Sequence, residues 1–482
     1  MGKSISRNYI YNTSYQVLTL FTPLITTPYL SRVLGVDGIG TYSFTTSIVS
    51  YFVLLATLGV STYAQREVAY HQDDMRATSR IFYEVMLLKV ILVIVSMLLY
   101  YLMIMTWQPE SERLIYWIQA LNIFAVLFDI SWFFQGLEEF GKIVFRNLVI
   151  RVLNIVMIFL CIKSSEDLLL YIGLLAVMGI LATGLLFQYM PCYLVRVPWQ
   201  TIKPWRNFRV MIELFLPNMA IQVYTVLDKT MLGMMVGSPA ENGYYEQAEK
   251  IVKISLTVVT SLGTVMLPRI AFAYARGQME DIRKYMLLSF RFVWAISLFS
   301  MAVIVGIAAN FVPWFLGPDF GPVVALLQMF TILLPVIGIS NVIGIQYLLT
   351  TNRQNLLTAS VTSGAIVNFL LNLYMIPHFS SMGATIASIL AEIAVTAVQM
   401  YFVRKVFPPE VILRLGLPYL GYGAVIMGGL LYLGDLLSPS ILHTFLLIML
   451  GSGLYLVVLA WRHDSLLEIV REKLARKSKF FL

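Results

Sequence analysis

Five cations stand inside long apolar runs: Lys89, Arg151, Lys229, Lys250 and Lys253. Between 244 and 267, Glu246, Lys250, Lys253, Thr257, Thr260 and Thr264 recur at intervals of three and four, with Glu249 at the border. That spacing places them on one face of a helix. Asn218, Gln222, Thr225 and Lys229 repeat the pattern in 209–236, with Asp228 beside them. Asn147, Arg151 and Asn154 do so in 144–162, and Asn12, Gln16, Thr19, Pro23 and Thr26 in 7–30. The run 41–65 carries Ser43, Ser47, Ser50, Thr57 and Ser61. An ionisable group surrounded by hydrocarbon must find a partner or a wet cavity, so these stripes are candidate binding surfaces. Cations in such a cavity suit an anion such as phosphate or pyrophosphate, with Lys as a point charge and Arg as a fork. They suit a cationic ligand poorly. Asp228 and Glu249 are the groups that could carry a coupling Na+ or H+. A plainer reading stands beside this one. Ser, Thr, Asn and Gln at helical spacing also hold helices together, and Lys250 could pair with Glu246, or Lys229 with Glu249.

The elements that must position these residues are helices in a bilayer. Of 482 residues, 59% are hydrophobic and 12% charged, about half the charged fraction of a soluble domain. Apolar runs long enough to span a bilayer as a helix occupy 7–30, 41–65, 81–105, 114–135, 144–162, 168–190, 209–236, 244–267, 287–311, 323–349, 356–376, 382–403, 415–434 and 440–461. The expected fold is an all-α polytopic membrane protein with fourteen transmembrane helices. Lys and Arg support the count: 26 of the 34 fall on the side that holds both termini, and three (Arg32, Arg113, Lys163) on the other. By the positive-inside rule both termini are cytoplasmic. The net charge of +8 is mostly this signature and does not argue for nucleic acid.

Loops between the runs are short, and His71, His378, His443 and His463 show no ligand spacing. There is no Walker loop and no paired-cysteine metal motif. The chain is therefore read as a carrier and not an enzyme, with no cofactor and no metal. Cys161 and Cys192 fall near opposite membrane faces and should not pair. Pro23, Pro28 and Pro217 could kink their helices. "SWFFQ" (131–135) could stack on sugars or belong to an interfacial aromatic belt. Lys142 and Arg146 read as ordinary boundary charges.

The stretch "VLGVDGIGTYSF" (33–44) has a counterpart in "MVGSPAENGYYEQ" (235–247). Gly35 matches Gly237, Gly40 matches Gly243 and Tyr42 matches Tyr245, at offsets of 202 to 203. Leu58-Gly59 against Leu262-Gly263, Arg66 against Arg269 and Arg80 against Arg283 keep offsets of 203 to 204. Six helices separate the copies, so these are parallel repeats related by an axis along the membrane normal. The expected organisation is an N-lobe of six helices (1–190), a cytoplasmic linker (191–208) and a C-lobe of helices seven to twelve (209–405). Two further helices (406–461) and a basic amphipathic cytoplasmic tail (462–482) follow. The two pseudo-twofold-related lobes would face a hydrated central cavity, and the two glycine turns would be matching outer gates, with Gly35, Gly38 and Gly40 allowing the first turn. Arg32 is a gate contact or a snorkelling anchor.

The segment "YQVLTLFTPLITTPYLSRVLGVDGIGTYSFTTSIVSYF" (15–52) resembles the opening of bacterial oligosaccharide flippases of the polysaccharide transport family. That family lies within the superfamily of multidrug and oligosaccharidyl-lipid exporters. "FLGPDFGPVVALLQ" (315–328) is similar to a second family pattern. The resemblance implies translocation of undecaprenyl-diphosphate-linked oligosaccharide from the cytoplasmic to the outer leaflet by alternating access, for capsule, O-antigen or teichoic acid. It implies a bacterial inner-membrane monomer working with membrane lipids and polymerase machinery. In the lipid II branch, arginines on the first, second and eighth helices bind the diphosphate. Here the first two helices lack a deep cation and the eighth offers Lys250 and Lys253. The alternative is a cation-coupled multidrug antiporter of the same fold. Those antiporters often carry an acid in the first helix, and this chain has none there.

Overall fold

The structure is a computed structural model. It describes the backbone of residues 5–464 and 466–468, and the side chains of 21–464 (except 214, 216–218, 220 and 221) and of 466–468. The chain is helical, with no strand among the described residues. Helix α1 (Ile5–Thr57) breaks sharply at Gly35, where φ is 69° and ψ −178°, so it is two helices end to end. Pro23 and Pro28 lie within its first part, and the one non-helical residue is Gly35. Helix α2 (Val60–Tyr70) follows, then α3 (Met75–Trp107). Asp74 caps α3: its carboxylate accepts the N–H groups of Ala77 and Arg76 at 3.1 and 2.9 Å. Those two bonds favour the charged form and hold its carboxyl below the usual carboxylate range.

Next come α4 (Arg113–Phe128), α5 (Ser131–Gly136), α6 (Phe140–Cys161) and α7 (Leu168–Gly184). The expected span 114–135 is thus interrupted at Asp129 and Ile130. Beyond lie α8 (Phe208–Val236), α9 (Pro239–Ala275), α10 (Met279–Phe315), α11 (Val323–Phe330) and α12 (Leu333–Asn341). A π-helical segment (Val342–Leu349) extends α12. Helix α13 (Gln354–Val403) breaks at Ser380, and α14 (Pro409–Leu436) and α15 (Ile441–Trp461) complete the chain. Eleven of the described segments are long and apolar enough to cross a membrane. Two of these are helix pairs joined at the Gly35 and Ser380 breaks, and α8 adds another long helix. The architecture is consistent with the expected fourteen. Cys161 and Cys192 are free thiols.

The chain divides into two compact units, residues 1–243 and 244–482. In the first, Leu30, Ile48, Tyr100, Tyr116 and Ile172 form one buried cluster. Val60, Phe82, Trp132, Phe133 and Met190 form another. The aromatics of "SWFFQ" belong to that second cluster: Trp132 is 1% exposed and Phe133 and Phe134 are fully buried. They are core, available neither to a sugar nor to an interfacial belt. In the second unit, Leu298, Ile307, Ile426, Leu447 and Tyr455 pack α10, α14 and α15 together. Tyr419 donates to the Asp464 carboxylate at 2.7 Å just past α15.

The segment joining α7 to α8 is strapped onto the first unit. The Val195 N–H donates to Ser79 Oγ at 2.9 Å, and the Lys203 N–H to Glu84 Oε1 at 3.0 Å. Asn207 bonds the Tyr63 hydroxyl. A bond to a charged acceptor contributes about 1.5–3 kcal/mol, against about 1 for a neutral one, so Glu84 is the stronger anchor. Ser79→Ala combined with Glu84→Ala should raise the rate of tryptic cleavage at Arg196 and Arg206 in purified protein by roughly tenfold or more, since cleavage follows the population of the released strap. Ser79→Ala alone should do much less.

Candidate functional site

The two glycine turns meet within the first unit. A Cβ on Gly40 would overlap the Pro239 carbonyl and lie 2.9 Å from the Gly243 nitrogen. One on Gly243 would overlap the Val36 carbonyl and lie 3.3 Å from the Gly40 nitrogen. Backbone therefore packs on backbone here, and each side needs the other to lack a side chain. One turn deeper, the Phe44 ring occupies the place of a Gly233 side chain. Deeper again, Thr230 Oγ1 donates to Ser47 Oγ at 2.9 Å and lies 3.1 Å from the Tyr51 hydroxyl. Positions 40, 44, 47 and 51 follow helical spacing, so one face of α1 zips onto α8 and the start of α9. Interhelical hydrogen bonds in membranes average about 0.6 kcal/mol. The two at Thr230 make a weak latch, which suits a seam that opens and closes.

Gly35 and Gly237 set the two turns. Both have φ of 69°, Gly35 breaking α1 and Gly237 ending α8 in the left-handed conformation. Gly38 and Gly40 are helical. The matched glycines thus do different work in each pair: Gly35 and Gly237 turn the chain, while Gly40 and Gly243 permit close approach. Arg32 is exposed just before the first turn.

The candidate anion-binding residues fall in both units. In the first, Arg151 is half-buried on α6, and Asn154 stands one turn along the same face. The Asn154 Oδ1 is buried without a hydrogen-bond partner among the described residues. Lys89 is fully buried, and its Nζ donates to the Asp129 carbonyl at 2.5 Å. That carbonyl is freed where α4 ends, and the Asp129 carboxylate accepts the Ser131 N–H at 3.0 Å, so Lys89 fastens the α4–α5 joint. On α8, Asp228 is buried, Lys229 half-buried and Gln222 exposed. Gln16 lies outside the residues whose side chains are described.

In the second unit, Lys250 is half-buried and Lys253 exposed on α9. Lys253 Nζ lies 2.7 Å from Glu249 Oε1. Polar side chains in the second part of α13 join helices. Ser388 meets the Tyr245 hydroxyl at 3.1 Å, Thr396 donates to the Val336 carbonyl at 3.1 Å, and Gln399 to Ser360 at 3.2 Å. Helices α10, α12, α13 and α14 also enclose a cavity of about 500 Å3 among Trp294, Leu298, Pro335, Ile339, Met400 and Met427. Its walls are almost wholly apolar.

Three features escaped sequence reasoning. Lys142 is caged by the rings of Tyr193, Tyr189 and Phe134 at 4.2, 5.0 and 5.4 Å, and bonds the Tyr193 hydroxyl. Arg146 is 9% exposed and donates to Asn147 and Ser131. Neither is an ordinary boundary charge; tyrosines far along the chain gave no local signal. Gln119 is the third: its amide donates to Thr45 and Thr46 at 3.2 and 3.0 Å and its oxygen accepts from Asn122 at 2.7 Å. The i,i+3 pair in "QALN" was the available hint.

Comparison with solved structures places this architecture. The chain is similar to the lipid II flippase MurJ in an inward closed conformation, with a TM-score of 0.73, 15% identity, and 95% of this chain and 99% of that one covered. An inward-facing multidrug resistance transporter of the MATE family, in the MOP superfamily, gives a TM-score of 0.64 at 14% identity, covering 83% and 95%. These likenesses show the fold, which is that of membrane transporters. In sequence, the chain is 24% identical over 411 residues to a protein of Escherichia coli (strain K12) named as an O-antigen transporter, covering 83% of this chain and 97% of the relative. A protein of Shigella dysenteriae so named is 20% identical over 389 residues, covering 79% and 96%. Residues 5–273 match the family described as polysaccharide biosynthesis protein. That span is more than half of the chain and holds the whole glycine seam, Arg151 and Lys250, so this multi-pass membrane protein belongs to the polysaccharide biosynthesis protein family.

Proposed function

We propose that the protein is a flippase that moves an undecaprenyl-diphosphate-linked oligosaccharide from the cytoplasmic to the outer leaflet of a bacterial inner membrane by alternating access. The observation that carries this reading is the coincidence of a transporter fold with membership of a polysaccharide biosynthesis family. A carrier in such a pathway handles a sugar that must cross a bilayer, and a lipid-linked diphosphate sugar brings three chemistries. Arg151, Lys250 and Lys253 suit its diphosphate. Asn154 and Gln222 suit its hydroxyls. The hydrocarbon-walled cavity of the second unit suits an isoprenoid tail. Asp228 and Glu249 are proposed to carry a coupling Na+ or H+. The side holding Gly40 and Gly243 is proposed to be the outer one, because few Lys or Arg fall there.

Deleting the protein from its host should accumulate lipid-linked repeat units on the cytoplasmic side and remove the surface polymer. Extracted lipid-linked glycan and its accessibility to a membrane-impermeant glycosidase measure both. Normal glycan with raised sensitivity to cationic drugs would instead establish a drug antiporter.

A further inference from the structure

Beside the Gly40–Gly243 contact lies a cavity of about 480 Å3, within the range of small-molecule sites. Both sides of the seam wall it: Thr41 and Thr45 from α1, and Ser238 and Asn242 from the second turn. Ser111 and Glu112, just ahead of α4, complete the polar part, and Phe44, Tyr116 and Pro239 are among the apolar part. Glu112 is exposed, and its carboxylate makes no hydrogen bond or ion pair with a described residue.

This lining specifies the chemistry of an occupant. The hydroxyls of Thr41 and Thr45 already donate within α1, to the Asp37 and Thr41 carbonyls at 2.8 Å each. Thr41 therefore presents lone pairs to the cavity, Thr45, which also accepts from Gln119, has one left to offer, and the Glu112 carboxylate can only accept. An occupant must bring several donors pointing in different directions and an apolar face to lie on ring and proline surface. A free carboxylate repels phosphate and other anions. A neutral saccharide meets every condition: hydroxyls around its edge and C–H groups on its faces. We propose that this cavity is a saccharide-binding site, separate from the cations proposed to hold a diphosphate.

The walls of the site also define when it exists. Thr41 and Thr45 lie on one side of the seam, and Ser238 and Asn242 on the other. Parting Gly40 from Gly243 dismantles the site, so a saccharide bound there binds the closed seam in preference to the open one. A ligand shifts an equilibrium by its differential affinity. Sugar on this face of the membrane therefore holds the seam shut, and a cycle that must open it slows as glycan accumulates. This regulatory consequence rests on the export reading; the binding itself does not.

The test uses the full chain in lipid nanodiscs with N,N′-diacetylchitobiose or lactose as the probe, read by titration calorimetry and by the shift in thermal unfolding. Saturable millimolar binding is expected to at least one of them. Glu112→Gln and Ser238→Ala should each weaken it several-fold, and together by tenfold or more. Thr45→Trp should abolish it by filling the cavity. Unfolding midpoints of the sugar-free variants within a few degrees of the parent confirm that the fold is kept. Binding unaffected by Glu112→Gln with Ser238→Ala, absence of binding to both sugars, or Glu112-dependent binding of tetraphenylphosphonium in their place would each overturn the proposal. Export of polymer is measured separately in cells. A chain that binds the disaccharide but whose deletion leaves lipid-linked glycan untouched would refute the export reading and leave the site standing.

Discussion

Gly40→Val should abolish or cripple polymer export while leaving the protein in the membrane at its normal level, and Gly243→Val should do the same. The Cβ introduced at Gly40 falls on the Pro239 carbonyl, and that at Gly243 on the Val36 carbonyl. Neither clash can be relieved by rotating a side chain, because the obstacle is backbone. The two segments must part. Forcing extra atoms into a packed contact costs about 1–3 kcal/mol, and the closed seam alone bears that cost. Its population relative to an open state falls by about 5- to 150-fold. A carrier that must visit a closed state then transports in proportion. The Thr230 bonds to Ser47 and Tyr51, at about 0.6 kcal/mol each, are too weak to hold the seam against the clash. Gly179→Ala is the control: its Cβ would meet nothing within 4 Å, and export should be unchanged. Cysteine pairs across the seam measure the mechanism directly. In a Cys161→Ala/Cys192→Ala background, Thr41→Cys with Ser238→Cys should cross-link under mild oxidation, and adding Gly40→Val should sharply reduce that yield. Normal export from both valine variants would show that the seam is not a gate.

The legibility of this protein divides along a physical line. Helix positions were readable because a bilayer imposes a length: α14 and α15 lie within a few residues of the runs that mark them. The pairing of Gly35 with Gly237 was readable because both positions need positive φ; the turns themselves differ, with ψ of −178° at Gly35 and 5° at Gly237. What each glycine does was not readable, since a glycine needed for positive φ and one needed for close approach look identical as letters. Ser380 is harder still. It breaks α13 with φ of 49° and ψ of −130°, a sparsely populated conformation that costs about 1–3 kcal/mol and must be offset by packing. The polar stripes were legible as stripes but not as sites. Ser47 bridges helices, and its partner at the seam, Thr230, lies off the stripe of α8. An i,i+4 pattern reports which face a residue shares, and only the neighbouring helix decides whether that face meets protein or ligand.

Replacing Arg151 by Gln should lower polymer export by roughly tenfold or more, because a charged hydrogen bond to a phosphate is worth about 1.5–3 kcal/mol. Lys250→Gln with Lys253→Gln should do likewise. Arg151→Lys should recover only part, since a point charge cannot reproduce a fork on two oxygens. Protein level separates a binding role from a structural one. A cation near the middle of a membrane helix costs about 2.5–3.5 kcal/mol, so losing one that serves only the ligand should leave the amount of protein equal or higher. Losing one that fastens the fold should lower it, and Lys89, bonded to the carbonyl freed at the end of α4, is the comparison: Lys89→Met should deplete the protein. Lys253 can be removed cheaply, because an i,i+4 pair such as the one it makes with Glu249 contributes only about 0.3–0.5 kcal/mol. Asn154 sharpens the distinction. Its buried Oδ1 has no hydrogen-bond partner among the described residues, a state that costs about 1–3 kcal/mol. Asn154→Leu should therefore raise thermal stability while reducing export, if the missing donor is a hydroxyl of the transported sugar. Export unaltered in Arg151→Gln and in the double lysine variant would remove these residues from the transport path.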